Sequence, residues 1–212
     1  MKKLFLMFLA TGLMSGACAQ DNGTIKLNEP NRTRGEATMT AFEKRRSTRE
    51  YSDAKLSFQD LSDLLWAANG INRPADGKRT APTAMNKQEI DVYVCMEDGA
   101  YLYDVPSHEL RRVTQEDVRP YVAGQQEFVK SAPACLVIVA DMERVGNDEE
   151  PYRTMTAIDA GIVSQNISIF CAGCGLATVP RGFMDKEKLA EALGLGTGRI
   201  IHLNHPVGYF RE

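Results

Sequence analysis

The most regular hydrophobic pattern in the chain lies between residues 156 and 183. Large apolar side chains recur there every three or four residues, which places them along adjacent faces of one helix. They are Ile158, Ile162, Val163, Ile167, Ile169 and Phe170. Small side chains recur at similar spacing on another face, namely Ala157, Gly161, Ser164 and Ser168. Because such a helix has almost no face suited to water, it is expected to pack on all sides, either in a core or across a subunit interface.

The end of this helix is marked by glycine. Gly173 or Gly175 is expected to close it, since glycine accepts the left-handed conformation of a C-terminal cap without strain. A short apolar strand then runs into Pro180, Arg181 and Gly182. A rigid helix followed by such a loop can hold a backbone N–H close to a flat ligand.

Weaker patterns predict the remaining elements. Helices are expected at residues 36–44, with Met39 and Phe42 facing inward, at 61–68 after a Ser57–Asp60 capping box, at 186–193, and once or twice between 115 and 131. Strands are expected at residues 90–96, 100–105, 135–140 and 199–207, and a charged loop at 141–151. Helices around a mixed, mostly antiparallel sheet give an α+β fold.

The N-terminus is predicted to be a targeting segment. Lys2 and Lys3 precede an apolar run at residues 4–13, and Ala17, Cys18 and Ala19 follow. Residues 1–19 therefore match a signal peptide cleaved before Gln20, or a lipoprotein signal ending before Cys18. The apolar run is too short to span a bilayer. We expect an exported protein of the periplasm or cell envelope, with a tether at residues 20–35 and one domain at 36–212.

Composition and net charge indicate the class of protein and the kinds of partner it is expected to bind. The chain has 212 residues, 43% of them hydrophobic, as in an ordinary globular domain. A net charge of -3 gives no general case for nucleic acid.

Two polar clusters carry candidate chemistry. Arg45, Arg46, Ser47, Thr48 and Arg49 gather three guanidinium groups and two hydroxyls just after a predicted helix. Guanidinium groups pair with phosphate oxygens, although cations at a helix C-terminus are also common without any ligand. The second cluster lies in a loop before a strand and is rich in small donors and carboxamides; it contains Pro82, Thr83, Ala84, Met85, Asn86, Lys87 and Gln88.

The cysteines suggest a different chemistry. Cys171 and Cys174 have the spacing of a redox motif, and exported proteins hold disulfides. However, the pair lies at the negative C-terminal end of the long helix, where a thiolate is disfavoured, so core cysteines are the preferred interpretation. A zinc site formed by these two cysteines with His202 and His205 is not expected, because residues an odd number apart on a strand point to opposite faces. We predict no metal site.

Taken together, these stretches resemble the FMN-dependent nitroreductase family, in the same order and from about Thr38 to Tyr209. Residues 45–49 are similar to the family's opening signature, and residues 82–88 are similar to its Pro-Ser-x-x-Asn-x-Gln loop, with Thr83 where Ser is usual. Residues 179–183 resemble the loop whose backbone N–H meets flavin N5.

This resemblance implies a homodimer with FMN sites at the interface around a long central helix. Arg45, Arg46 and Ser47 would bind the phosphate and ribityl end, and Arg49, with Lys87, the pyrimidine edge. The cofactor-binding set implied by the resemblance is completed by Pro82, Thr83, Ala84, Met85, Asn86, Gln88, Pro180, Arg181 and Gly182. The Arg181 side chain is expected to point into the substrate cavity. Relatives often return a C-terminal Lys or Arg to the phosphate, and Arg211 is the candidate here.

The resemblance also implies the reaction, a two-electron ping-pong reduction of a small nitro or quinone-like acceptor, with NAD(P)H as a candidate donor. No protein side chain is assigned as a catalytic acid or base. Two alternatives stay open at this point. One is a flavin- or ligand-binding protein without turnover, and the other is a thiol-redox protein that uses Cys171 and Cys174.

Overall fold

The computed structural model describes residues 23–211. The predicted signal peptide, residues 1–19, lies outside the described residues. In the described range, seven strands form one sheet and two short strands form a second: β1 Thr24–Lys26, β2 Ile71–Arg73, β3 Lys78–Arg79, β4 Ile90–Met96, β5 Gly99–Asp104, β6 Glu109–Thr114, β7 Ala134–Asp141, β8 Leu176–Thr178 and β9 Arg199–Tyr209. The α-helices are α1 Thr38–Lys44, α2 Phe58–Asn69, α3 Arg119–Ala123, α4 Met142–Val145, α5 Glu150–Gly173 and α6 Lys186–Ala192.

The large sheet has the strand order β1-β6-β5-β4-β7-β9-β8, and every neighbouring pair is antiparallel. Strand β7 lies near its centre and is buried along its whole length. Alternate side chains of β4 enter two separate cores. Val92 and Val94 pack with α2 and α5, whereas Tyr93 and Cys95 pack with α3 and α6. The α+β fold predicted from the sequence is confirmed.

Helix α5 organises the fold as predicted. It begins six residues before the predicted start and ends at Gly173, after which Gly175 has a left-handed φ of 73°. By length and composition α5 could cross a membrane, but it packs against β7, β8 and β9 as a core helix does. Its early start replaces only the last two residues of the charged loop predicted at 141–151. Helix α4 occupies the first part of that loop, and Asp141 caps it by accepting bonds from the N–H groups of Glu143 and Arg144.

Several local predictions are confirmed. The Ser57 hydroxyl accepts a bond from the Asp60 N–H at 3.0 Å and caps α2. The hairpin of β4 and β5 forms as expected, and α3 with a 3₁₀ turn at Glu127–Ser131 provides the short helices between 115 and 131. In contrast, Met39 and Phe42 do not face inward, since they are 78% and 53% exposed. Helix α1 packs through Ala41, because the small Gly173 surface of α5 admits a close approach there.

The described part of the predicted tether, residues 23–35, is folded onto the domain. Strand β1 pairs with β6 at the edge of the sheet. Arg34 then binds both Asp60 and Asp63 on α2, at 2.6 and 2.8 Å. Paired charges and strand pairing hold this segment, although its polar sequence suggested none of these contacts.

The prediction that His202 and His205 point to opposite faces is wrong. The register between β7 and β9 shifts because Ile138 pairs with Leu203 and Val139 with Ile201, which leaves His202 as the extra residue of a bulge. Both rings therefore reach α5. His202 lies 3.1 Å from the Thr156 hydroxyl, and His205 lies 2.7 Å from that of Ser164.

Candidate functional site

The basic segment, residues 45–49, leaves α1 without regular secondary structure and runs beside strand β8. The Thr48 N–H donates to the Thr178 carbonyl at 2.9 Å, and the Thr48 carbonyl accepts from the buried Tyr51 hydroxyl at 3.0 Å. These bonds fix the main chain and leave Arg45, Arg46 and Arg49 exposed, with no ion pair among the described residues. The segment thus offers three uncompensated guanidinium groups to an anion.

The C-terminus of the chain lies beside the same segment. The Arg46 guanidinium stacks over the Phe210 ring at 4.9 Å, which brings the neighbouring Arg211 to the basic segment. In addition, the buried Thr48 hydroxyl has no hydrogen-bond partner within residues 23–211. A polar ligand would satisfy it.

The Pro-Arg-Gly loop, residues 179–183, leaves β8 next to the basic segment. The Arg181 N–H and carbonyl both bond to the Asn204 backbone, at 2.9 and 2.7 Å. The next amide, that of Gly182, donates to no group in the described part of the chain. The Gly182 N–H is therefore available to a ligand, in the loop where the family resemblance places flavin N5.

The Arg181 side chain does not point into a substrate cavity, contrary to the prediction. It is 7% exposed and donates to Gln126 Oε1 at 2.8 Å and Asn204 Oδ1 at 2.7 Å. It also donates to the carbonyls of Val122 and Ala123, each at 3.2 Å, which end α3. Arg181 joins β9, α3 and the Pro-Arg-Gly loop, and its role is to hold that loop in place.

The loop formed by residues 82–88 carries unusual backbone strain. Met85, Asn86 and Gln88 have φ angles of 53°, 52° and 52°, a region that residues with a Cβ rarely adopt. Such strain persists only where surrounding contacts enforce it, and it clusters at ligand-binding sites. Here the Thr83 hydroxyl accepts from the Gln88 N–H at 2.8 Å, and Arg144 donates to the Gln88 carbonyl at 2.7 Å.

Two carboxyl groups beneath this loop were not predicted as functional. Asp159 of α5 accepts a bond from the Ala84 N–H at 2.9 Å. Glu89, directly after the loop, is fully buried, and burial together with the neighbouring Asp159 raises the pKa of Glu89 to about 7. The available sequence signal was Glu89, a charged residue directly before a buried strand. Its proximity to Asp159 could not be predicted, because the two residues are far apart in the chain.

Within one chain, the structure brings together only two of the three predicted stretches. The basic segment and the Pro-Arg-Gly loop meet at the end of the sheet where Thr178, Val207 and Ala134 align. The loop 82–88 precedes Ile90, which lies at the other end beside Ala140. Seven residues of β4 separate these ends, about 20 Å at the usual rise per strand residue.

An exposed face of α5 connects the two ends. Ile158 is 61% exposed, and a Cβ built on Gly161 would meet nothing within 4 Å. The small side chains predicted to share one face of α5 do not all face outward, however. Ser164 and Ser168 are buried inside the chain, whereas Ala157 is exposed. The surface available to a second molecule is therefore Ala157, Ile158, Gly161 and Gln165.

The cysteines do not form a reactive site. Cys171 is fully buried, and burial raises the pKa of its thiol and that of Cys174. Both are free thiols, and no cluster of three His, Cys, Asp or Glu ligands suited to a metal occurs in the described range.

Comparison with known proteins identifies the family. The Nitroreductase family profile matches residues 42–209. A Methanocaldococcus jannaschii protein assigned as a nitroreductase is 33% identical over 176 residues, which cover 78% of this chain and 87% of that one. A crystal structure assigned as a nitroreductase from Ralstonia eutropha JMP134 superposes with a TM-score of 0.84 at 36% identity, over 99% of this chain and 97% of that one.

A more distant structure shares the fold. The NADPH:FMN oxidoreductase of Vibrio harveyi, solved with NAD⁺, superposes with a TM-score of 0.63 at 19% identity, over 82% of this chain and 69% of that one. Sequence profile, curated relative and solved structure agree with one another. The chain belongs to the nitroreductase family of oxidoreductases.

Proposed function

We propose that this protein is an FMN-dependent oxidoreductase whose two flavin sites are each built by both protomers of a homodimer. The observation that carries the proposal is the separation of the three stretches. The basic segment and the Pro-Arg-Gly loop lie at one end of the sheet, and loop 82–88 lies at the other. Neither end alone offers a complete site, whereas the two ends together supply every part that the family resemblance requires.

Helix α5 provides the geometry for combining them. Asp159 contacts loop 82–88, and Gly173 contacts α1 just before the basic segment. These two positions are about 21 Å apart along the helix axis. A two-fold axis midway between them would pack the exposed α5 faces together and bring the loop of one protomer to the basic segment of its partner.

The residues present fit FMN. Arg45 and Arg46 offer guanidinium groups to the phosphate, Ser47 adds a hydroxyl, and Arg211 lies next to them. The unbonded N–H of Gly182 would orient the ring edge, and Arg49 with Lys87 would place positive charge near its pyrimidine end. The side chains of Thr83 and Asn86, with the backbone of loop 82–88, would cover the ring from the partner.

Bound FMN would supply two-electron transfer by a ping-pong cycle, from a donor such as NAD(P)H to a small nitro or quinone-like acceptor. The distant Vibrio harveyi relative holds NAD⁺, which supports a nicotinamide donor. The protein's own contribution is to bind, orient and provide positive charge. The buried, high-pKa thiols of Cys171 and Cys174 disfavour the thiol-redox alternative.

The test is direct. The purified protein should show a flavin absorption spectrum, and the released cofactor should be FMN. Arg45→Ala should weaken FMN binding about tenfold to a hundredfold, because a hydrogen bond to a charged group contributes roughly 1.5–3 kcal/mol. Riboflavin, which lacks the phosphate, should bind both proteins equally, and Arg111→Ala on β6 is the matched control.

Failure of the test has a defined meaning. A protein that binds neither FMN nor riboflavin contradicts the proposal as a whole. Equal FMN affinity of Arg45→Ala and the wild type contradicts the phosphate assignment alone. A flavin-loaded protein that reduces no acceptor with an artificial donor would be a binding protein without turnover.

We also propose export to the periplasm or cell envelope, supported by the pattern of Lys2, Lys3, the apolar run and Ala17-Cys18-Ala19. Mass spectrometry of the native protein should find a chain that begins at Gln20 or at a lipidated Cys18. An intact Met1 on the folded protein would contradict this.

A further inference from the structure

We propose that Glu89 and Asp159 share one proton and, through it, hold loop 82–88 in the conformation that binds the cofactor. The proposal rests on the proposed function, since the loop is part of the flavin site only if FMN binds there. Both residues are positioning residues.

The burial of Glu89 carries the argument. Its side chain is fully buried, and neither carboxylate oxygen has a hydrogen-bond partner in residues 23–211. A buried carboxylate without partners is strongly destabilising, because it has lost its hydration and gained nothing in return. Protonation removes the charge and creates a donor.

An acceptor for that proton lies alongside. Asp159 on α5 is 4% exposed and faces the Glu89 carboxyl group. Two adjacent buried carboxyl groups cannot both ionise at low cost, so one of them retains its proton. Protonated Glu89 can donate to Asp159, which pairs one oxygen of each side chain through a single proton. The raised pKa of Glu89 agrees with this arrangement.

The surrounding charges do not replace the proton. Arg79 approaches from β3, but no ion pair joins it to Glu89 in the described residues, and it donates instead to the Ile90 carbonyl at 3.2 Å. Beyond it, Arg144 is paired with Asp91 and Asp141. The Thr83 hydroxyl accepts from the Gln88 N–H, and its own O–H favours the ionised form of Glu89, but burial and Asp159 outweigh that effect and the pKa of Glu89 is still raised.

Glu89 and Asp159 are connected to the two ends of loop 82–88. Asp159 accepts the Ala84 N–H at the start of the loop. Glu89 is bonded covalently to Gln88, whose φ of 52° is one of the strained angles. If the shared proton is lost, two facing carboxylates repel one another, and moving either one displaces an end of the loop. Flavin affinity should therefore fall as the pair ionises.

Riboflavin is the probe for the test, because it lacks the phosphate that titrates in FMN. Its dissociation constant should rise about threefold to tenfold between about pH 6 and about pH 8.5 in the wild type, as the proton on Glu89 is lost. In Glu89→Gln the constant should stay flat, since an amide cannot ionise. In Asp159→Asn the rise should move to lower pH, because a neutral neighbour no longer favours the protonated form. Glu187→Gln, an exposed change on α6, should behave as the wild type.

Thermal unfolding without flavin gives a second readout. The folded pKa of Glu89 is raised above its unfolded value, so its contribution to stability is present at low pH and lost as pH rises toward about 7. The melting temperature of the wild type relative to Glu89→Gln should fall across that range. Parallel melting curves, or equal pH dependence of riboflavin binding in both proteins, would overturn the proposal. If riboflavin binds at no pH, the proposed function fails, and the melting curves still test the shared proton.

Discussion

Arg181 shows how a single residue can be misread from its sequence context. Its place between Pro180 and Gly182 correctly predicted a loop, but suggested a side chain facing substrate. Its partners Gln126 and Asn204 are 55 and 23 residues away in the chain, and no local pattern indicates them. The buried guanidinium instead ties the Pro-Arg-Gly loop to the core.

We therefore expect Arg181→Ala to act on stability rather than on acceptor choice. Losing four hydrogen bonds and leaving buried acceptors unpaired should lower the free energy of unfolding by about 2–5 kcal/mol. Chemical denaturation measures this directly. Arg49→Ala, an exposed change in the basic segment, is the control and should leave stability nearly unchanged. A fully stable Arg181→Ala with altered acceptor selectivity would restore the original prediction.

At the scale of elements, strongly periodic segments were predictable, whereas the polar strands at and next to one edge of the sheet were not. Helix α5, strand β7 and the Ser57 cap follow from local hydrophobic spacing and cap chemistry. Strand β6 and strand β1 escaped prediction because both are polar and at or near the sheet edge, where pairing depends on a distant partner. The bulge at His202 is likewise set by register with β7, which local alternation cannot reveal.

The exposed face of α5 leads to a prediction about assembly. The Cβ that Gly161→Leu introduces meets nothing within 4 Å in its own chain, and leucine favours helix over glycine. Its effect should fall on the dimer alone, where overpacking of roughly 1–3 kcal/mol weakens association by about tenfold to a hundredfold.

Light scattering over a concentration series measures that association. In contrast, Gly173→Leu should destabilise the fold itself, because a Cβ there already approaches Ala41 at 3.4 Å. A Gly161→Leu protein that dimerises as tightly as the wild type would place the interface elsewhere.

At the scale of the whole molecule, the sequence suggests the parts of a flavin site but not how they are distributed over the fold. The resemblance grouped residues 45–49, 82–88 and 179–183 into one site. The strand register places the second of these at the opposite end of the sheet from the other two. The folded chain shows that distance, and the proposed two-fold homodimer would remove it.

The central claim, a flavin site shared between protomers, is tested most directly with hybrid dimers. Arg45→Ala carries a defective basic segment, and a loop variant such as Asn86→Ala carries a defective loop; each homodimer should bind FMN weakly. When the two are co-expressed and the hybrid is isolated by distinct tags, one site combines both defects and the other is intact. We predict about one tightly bound FMN per hybrid dimer. Hybrid dimers that bind FMN as weakly as both parents would show that each site lies within one chain, and would contradict the account.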